Sequence, residues 1–487
     1  MTTSPTTAAM CDPARTAAHD LRLLLIAGSV IAAIGLGVRS TFGLFLNDLN
    51  AALGTDTSTF ALAIGIQNLI WGIGQPIAGA IADRYGSARV LATGAVVYCS
   101  GVAMMAHAST APQLYLSGGF VVGVGLAATS FAVVLASIGR RFPPERRSTA
   151  LGIATAVGSG GQFVFVQLAN RIDAAAGWQT ALSVLGLVTL AIVVLARPLR
   201  GNAENADEAA AQAASPDAPA APVESLSSVI ARASVNRSYL LLCAGFFVCG
   251  VHVTFIATHL IPYLENGSVS DGVAGLAWAL VGLTNIAGSY LAGVLGARHS
   301  KARLLSLIYA ARGVVIAGFV LLPMTSATVI GFGAAIGVLW LSTVPLTGAI
   351  VAQQFGTRHA GTLFGLVFLA HQLGAFAGAY GGGWLADRTG DYAASWWIAV
   401  ALAVGAAVAN LFIDEGPQRL DPATPRRRSV RLLRPALGVN AIALFAFLTL
   451  ATPAAPEAAE SPPQIICGGA HPAALSPDSR TTSEDQP

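Results

Sequence analysis

The sequence predicts an all-α polytopic membrane protein of about twelve transmembrane helices arranged as two six-helix bundles. Three observations carry that prediction: composition, the spacing of apolar runs, and an internal repeat. Of 487 residues, 54% are apolar and only 10% charged, against roughly 25% charge in a soluble domain. The 53 glycines and a mean hydropathy of +0.65 agree, because small residues let helices pack closely in lipid, where no water drives them together. Cations number 27 and anions 24, for a net charge of +3. They sit in short loops rather than along one face, which implies no nucleic acid or other polyanionic partner. Among the five cysteines, Cys99, Cys243 and Cys249 fall inside apolar runs without metal-ligand or disulfide spacing and read as small core hydrophobes.

A hydrocarbon layer of ~30 Å takes about 20 helical residues to cross. Runs of that length, separated by charge or turn residues, predict spans at 22–46, 59–81, 90–108, 112–138, 149–170 and 176–196. A second set follows at 238–263, 273–296, 304–323, 329–354, 362–385 and 395–413. The first run is too long, and too poor in a small-residue cleavage site, for a signal peptide.

Orientation follows from the arginines and the single lysine, Lys301, since short loops rich in these residues stay cytoplasmic. Arg15, Arg22, Arg84, Arg89, Arg140, Arg141, Arg146, Arg147, Arg197, Arg200, Arg232, Arg237, Arg298, Lys301, Arg303 and Arg358 fall on one side, and only Arg171 and Arg388 on the other. Both termini are therefore expected in the cytoplasm, and the high use of Arg, Ala and Gly against a single Lys suggests a GC-rich bacterial genome and hence the bacterial inner membrane. The implied organisation is an N-terminal segment 1–21, a six-helix bundle 22–196, a cytoplasmic linker 197–237, a second bundle 238–415, and a tail 416–487. The Ala, Pro and acid content of the linker and tail predicts disorder. Within the tail, the apolar stretch 436–451 follows the basic run RRRSVRLLR and reads as an interfacial segment or a thirteenth helix.

The repeat is visible by eye. GAIADRYGSAR at 79–89 and GVLGARHSKAR at 293–303 align Gly79, Arg84 and Arg89 with Gly293, Arg298 and Arg303, while Asp83 meets Ala297. A second register pairs Phe142, Thr149, Gly152, Gly161 and Phe163 with Phe355, Thr362, Gly365, Gly374 and Phe376. Parallel repeats joined by a linker suit bundles that rock about a site near the membrane centre.

These residues resemble the major facilitator superfamily over about residues 20 to 415. The most specific match is G-x-x-x-D-R-x-G, present as Gly79, Asp83, Arg84 and Gly86 and followed by Arg89. The resemblance implies that this loop holds the cytoplasmic gate. A carboxylate at a helix end can satisfy N-terminal amides and arginines in one conformer and lose them in the other; a tight charged turn that merely fixes topology is the alternative. RSTFGLFLNDL, QNLIWGIGQPIAGAIADRYG, WLSTVPLTGAIVAQQFGT and HQLGAFAGAYGGGWLADRTG resemble the monocarboxylate and oxalate/formate-like branch. The chain departs from it in lacking the acidic and aromatic signature of the first span and the Asp and Arg pair of the eighth. Gly119 stands where many proton-coupled members carry Arg, and the fifth span lacks the Gly-Pro motif of drug antiporters.

An ionisable residue inside a span costs about 2.5 to 3.5 kcal/mol at the membrane centre and is a functional candidate by default. Arg39, Arg312, His252, His259 and His371 qualify, and no Asp or Glu lies well inside a predicted span. A guanidinium without a counter-ion is suited to an organic carboxylate bound bidentately. Arg39 leads, because the resemblance implies that the first and seventh spans line the cavity, whereas Arg312 in the ninth is equally readable as a structural group held by helix carbonyls. His252 and His259, two turns apart on one face, and His371 are candidate proton carriers or plain core histidines. Gln372, Gln67, Asn68, Gln162 and Asn285 could orient a substrate, while Trp340 and Phe42 are cavity-wall or packing aromatics. Pro76, Pro262 and Pro345 predict kinks.

The expected function is gradient-driven transport of a small mono- or dicarboxylate, with protons or a counter-anion as coupling partners and the bilayer as solvent. No metal-ligand cluster, cofactor motif or Walker loop is present, and the oligomeric state is open, with a monomer plausible. A drug or neutral-metabolite exporter is the rival within the class, and a transport-inactive sensor or scaffold the rival outside it. An enzyme would need an acid and base within reach of each other.

Overall fold

The computed structural model describes residues 13–55, 57–200, 225–267 and 269–417, and among these every regular element is helical. Eleven helices are long and apolar enough to cross a membrane: His19–Phe45, Ser87–Ala106, Ala111–Arg141, Pro144–Ala176, Trp178–Leu195, Arg237–Leu264, Gly272–Arg298, Lys301–Leu321, Ser326–Phe355, Ala360–Ala386 and Ala393–Leu411. The predicted second span is the 29-residue helix Thr57–Tyr85, whose apolar run is diluted by Gln67, Asn68 and Gln75. We number these twelve as spans in chain order. Residues 201–224 of the expected linker and the tail from 418, including 436–451, lie outside the described residues.

The disorder expected across 197–237 does not extend to its end, because Leu226–Val235 is helical. Ser225 Oγ accepts from the Ser228 amide at 3.3 Å, Val229 and Ala233 bury one stripe, and Arg232 lies over the Phe355 ring. A side-chain cap and a buried stripe at helical spacing thus order a segment of a linker whose overall composition reads as unstructured.

The fourth and tenth spans are each broken, at Ser130 and Ser342, the residues that precede Phe131–Arg141 and Thr343–Phe355. These breaks stand 212 positions apart, in keeping with the sequence repeat. Pro345 sits in the first turn of Thr343–Phe355, where its missing N–H costs nothing. Freed backbone groups inside a membrane need partners from neighbouring helices, and at the tenth span two polar side chains supply them. Asn285 Oδ1 accepts from the Leu341 amide at 3.0 Å. Arg312 donates through Nε to the Leu339 carbonyl at 3.1 Å and through Nη2 to the Leu339 and Trp340 carbonyls. A cation at a helix C-terminus also meets the negative end of its dipole. The fourth span contains a π-helical stretch, Tyr115–Val121, and Gln67 Nε2 donates to its Gly118 carbonyl at 2.7 Å.

The halves meet along two seams, the second span on the eleventh and the fifth on the eighth. Near the arginine-rich end, a Cβ at Gly79 would fall on the backbone of Gly361 and Thr362, and one at Gly152 would lie 2.6 Å from the Gly293 Cα. Further along, a Cβ at Gly365 would reach Pro76, and one at Gly72 would meet Gln372. At Gly65, two turns beyond Gly72 on the same face, an added Cβ would meet nothing within 4 Å. Phe376 continues the stripe of Gly365 and Gln372 on the eleventh span, yet is 60% exposed, and Tyr380 is 53% exposed. The second and eleventh spans therefore touch from the arginine-rich end to about Gln372 and part beyond it.

Candidate functional site

The second span ends at Tyr85 and the third starts at Ser87 after Gly86, whose φ of 96° suits glycine. This tight turn presents Asp83, 4% exposed, to the other half. Its Oδ1 accepts from Arg140 Nη1 at 2.7 Å and from the Gly361 amide at 3.2 Å. Oδ2 accepts from the Thr362 amide at 2.9 Å and the Thr362 hydroxyl at 3.0 Å. The eleventh helix, Ala360–Thr389, has no side-chain cap of its own, so a carboxylate from the opposite half satisfies its first amides. Arg140 Nη2 donates to Ser87 Oγ at 2.6 Å, which fixes the guanidinium. Arg84 is exposed and lies over the Tyr85 ring at 5.3 Å, and the Arg89 side chain is exposed. Of the predicted loop residues, Asp83 and Gly79 make the contact between halves, Gly86 makes the turn, and Arg84 and Arg89 are exposed beside it. Arg140, which sequence reasoning counted only toward orientation, completes the contact.

A second cluster forms at the depth where the second and eleventh spans begin to part. Arg39 Nη2 donates to Asn68 Oδ1 at 2.6 Å, and its guanidinium lies over the Trp71 ring at 5.0 Å. Its Nε is buried without a hydrogen-bond partner, and no ion pair to it occurs among the described residues. Across the seam, Gln372 Nε2 donates to the Asn68 carbonyl at 3.3 Å, and Gln372 Oε1 lies 3.2 Å from His371 Nδ1. His371 stacks on Phe368 at 5.5 Å and 10° and borders Phe246 at 5.0 Å. Phe368 in turn meets Trp71 at 4.9 Å. Four predicted residues, Arg39, Asn68, His371 and Gln372, thus come together. Trp71 and Phe368 were missed, although Trp71 lies one turn from Asn68 and its Nε1 donates to Gln75 Oε1.

The other candidates lie elsewhere. Arg312 and Asn285 serve the tenth-span break, and Asn285 Nδ2 also donates to Ser159 Oγ at 2.8 Å across the fifth and eighth seam. Trp340 belongs to the same break and meets Trp278 edge-on at 5.9 Å. His252 Nε2 donates to the Ala399 carbonyl at 2.9 Å, and His259 Nε2 to that of Ala379 at 2.8 Å, so the two rings bind the twelfth and eleventh spans respectively. Gln162 is half-buried on the fifth span, and Phe42 is buried in the turn Phe42–Phe45. A cavity of about 600 Å³ between the fifth and eighth spans is lined by apolar groups such as Ile153, Val157, Leu283 and Ile286, and shares no residue with the Arg39 cluster. No group of three or more metal-ligating side chains occurs among the described residues.

Comparisons with known proteins bear on this geometry. The model for the Major Facilitator Superfamily matches residues 25–379 and 260–456. Monocarboxylate transporter 13 of Rattus norvegicus is 27% identical over 379 residues, 76% of this chain and 83% of that protein. The uncharacterised MFS-type transporter YcxA of Bacillus subtilis is 24% identical over 382 residues, 74% of this chain and 88% of that protein. In structure, the proton:xylose symporter XylE aligns with a TM-score of 0.66 at 12% identity, covering 82% of this chain and 98% of that one, a likeness of fold alone.

Proposed function

Because this chain belongs to the major facilitator superfamily and is therefore a multi-pass membrane transporter rather than an enzyme, we propose that it moves a small organic anion by alternating access. The cargo is a mono- or dicarboxylate, the membrane the bacterial inner membrane, and the driving force a gradient. One observation carries the reading: Arg39 sits where the second and eleventh spans part, with a buried, unpartnered Nε and no acidic partner among the described residues. A carboxylate at the Nε and Nη2 edge would receive both donors in a planar fork, displacing the Asn68 amide oxygen.

The arginine-rich end is the cytoplasmic one by the positive-inside rule, with both termini on that side, so the conformer described is closed inward and open outward. Asp83 and Gly79 act as the inward gate, with Arg140 as its counter-ion, while Arg84 and Arg89 hold the turn at the membrane surface. The moving units are the bundles 22–196 and 238–415. When they rock, Asp83 leaves the amides of Gly361 and Thr362, and cargo binding at the seam offsets that loss. His371, through Gln372, assists at the cargo site; His252 and His259, bound to helix carbonyls, hold the second bundle together. Uptake of radiolabelled acids into proteoliposomes, with and without an imposed pH gradient, tests the reading and separates proton symport from anion exchange. Loss of uptake on Arg39→Ala is expected, and unchanged uptake of the best acid would remove the assignment.

A further inference from the structure

We infer that the cargo is a monoanion with an aromatic tail, and that Trp71 and Phe368 select the tail; this rests on Arg39 being the carboxylate site. The first argument is a count of charge. The Arg39 cluster contains one guanidinium. Arg312, the other arginine deep within a span, is committed to the tenth-span break, where Nε and Nη2 donate to the carbonyls of Leu339 and Trp340 and only the buried Nη1 lacks a partner. A dicarboxylate would bring its second charge into a low-dielectric seam with no second permanent cation in the cluster, at a cost like that of any poorly paired charge there. His371, already beside Gln372 and stacked on Phe368, is the one further titratable group in the cluster. An amino acid would bring an ammonium, and the cluster holds no carboxylate to receive it. One negative charge and no positive charge is the cargo that this set of groups neutralises.

The second argument is the wall. Trp71 carries the guanidinium on its ring and meets Phe368 across the seam. Phe368 stacks with His371, and His371 borders Phe246. Toward the open end, Phe376 and Tyr380 stack at 5.8 Å and 10° on the face that looks across the parted seam. A flat apolar tail attached to a carboxylate on Arg39 would therefore meet ring faces and edges from the second and eleventh spans. Offset or edge-on aromatic contacts add selectivity beyond area burial, which a short alkyl tail does not gain.

The test is a panel in proteoliposomes containing the full chain: phenylacetate, propionate, phthalate and phenylalanine, each as labelled substrate. Phenylacetate uptake is expected to exceed propionate uptake, with phthalate and phenylalanine left near background. In Phe368→Leu the ratio of phenylacetate to propionate uptake is expected to fall by roughly two- to tenfold, the worth of one aromatic contact. Propionate, phthalate or phenylalanine carried as well as phenylacetate would overturn the inference and leave the acid carrier standing. Uptake of none of the four, nor of any other acid, would overturn the proposed function and this inference with it.

Discussion

Replacing Asp83 by Ala removes one carboxylate and four hydrogen bonds, two from amides and one from a hydroxyl of the eleventh span, and one from Arg140. Arg140, 3% exposed in that pair, keeps Ser87 as a partner but loses its counter-ion. Breaking a buried pair by deleting one member costs about 3 to 5 kcal/mol. The same interactions should be absent once the halves separate at this end, because Asp83 and the eleventh helix belong to different bundles. The whole cost then falls on the closed conformer, and at about 1.4 kcal/mol per factor of ten the ratio of closed to open shifts by roughly a hundredfold or more. Spin labels at Arg146 and Arg303, exposed positions near the arginine-rich ends of the two halves, in a background free of native cysteines, report that ratio as a distance distribution. A longer distance should dominate in Asp83→Ala, with Asp83→Asn intermediate because its amide retains some acceptor capacity. An unchanged distribution in Asp83→Ala would refute the idea that this contact holds the end shut.

Other outcomes follow from the same geometry. Arg39→Lys keeps the charge but loses the planar fork and the stacking on Trp71, so acid uptake should drop by about tenfold or more, measured as kcat/KM in proteoliposomes. Arg312→Met leaves the Leu339 and Trp340 carbonyls without donors in a buried break, so unfolding in detergent should come about 1 to 3 kcal/mol earlier, while the preference among acids stays the same. Gly152→Val forces branched carbons into the Gly293 backbone, an overpacking worth about 1 to 3 kcal/mol against the closed seam. The spin-label pair should then move toward the longer distance without any change at Asp83.

Helices were legible because crossing a membrane demands long apolar runs: ten of the predicted spans returned within three residues of their expected ends, and the fifth runs five and six residues further, to Pro144 and Ala176. Asp83 was legible because its spacing to Gly79 and Gly86 is a recognisable pattern, and Arg39 because a cation without an acid stands out in an apolar run. Arg312 looked identical by that criterion. What separates them is the tenth-span break, where carbonyls wait for a donor, and nothing in a string of apolar residues marks which carbonyls a distant helix will reach. Asn285 was ambiguous for the same reason. The site roles of Arg140, Trp71 and Phe368 went unread because each acquires its role from a neighbour on another span, Asp83, Arg39 and Trp71 respectively, and such pairings carry no periodicity along the chain.

The duplicated halves did not inherit matching hardware. Where the first copy carries Asp83, the second carries Ala297, and the fifth and eighth spans abut backbone to backbone at Gly152 and Gly293 with no ion pair between them among the described residues. One side of the molecule is bolted by charge and the other is held by close packing and the neutral Asn285–Ser159 hydrogen bond. On the proposed mechanism, unfastening begins at the second and eleventh spans, where a single substitution at Asp83 removes the carboxylate that ties one half to the other.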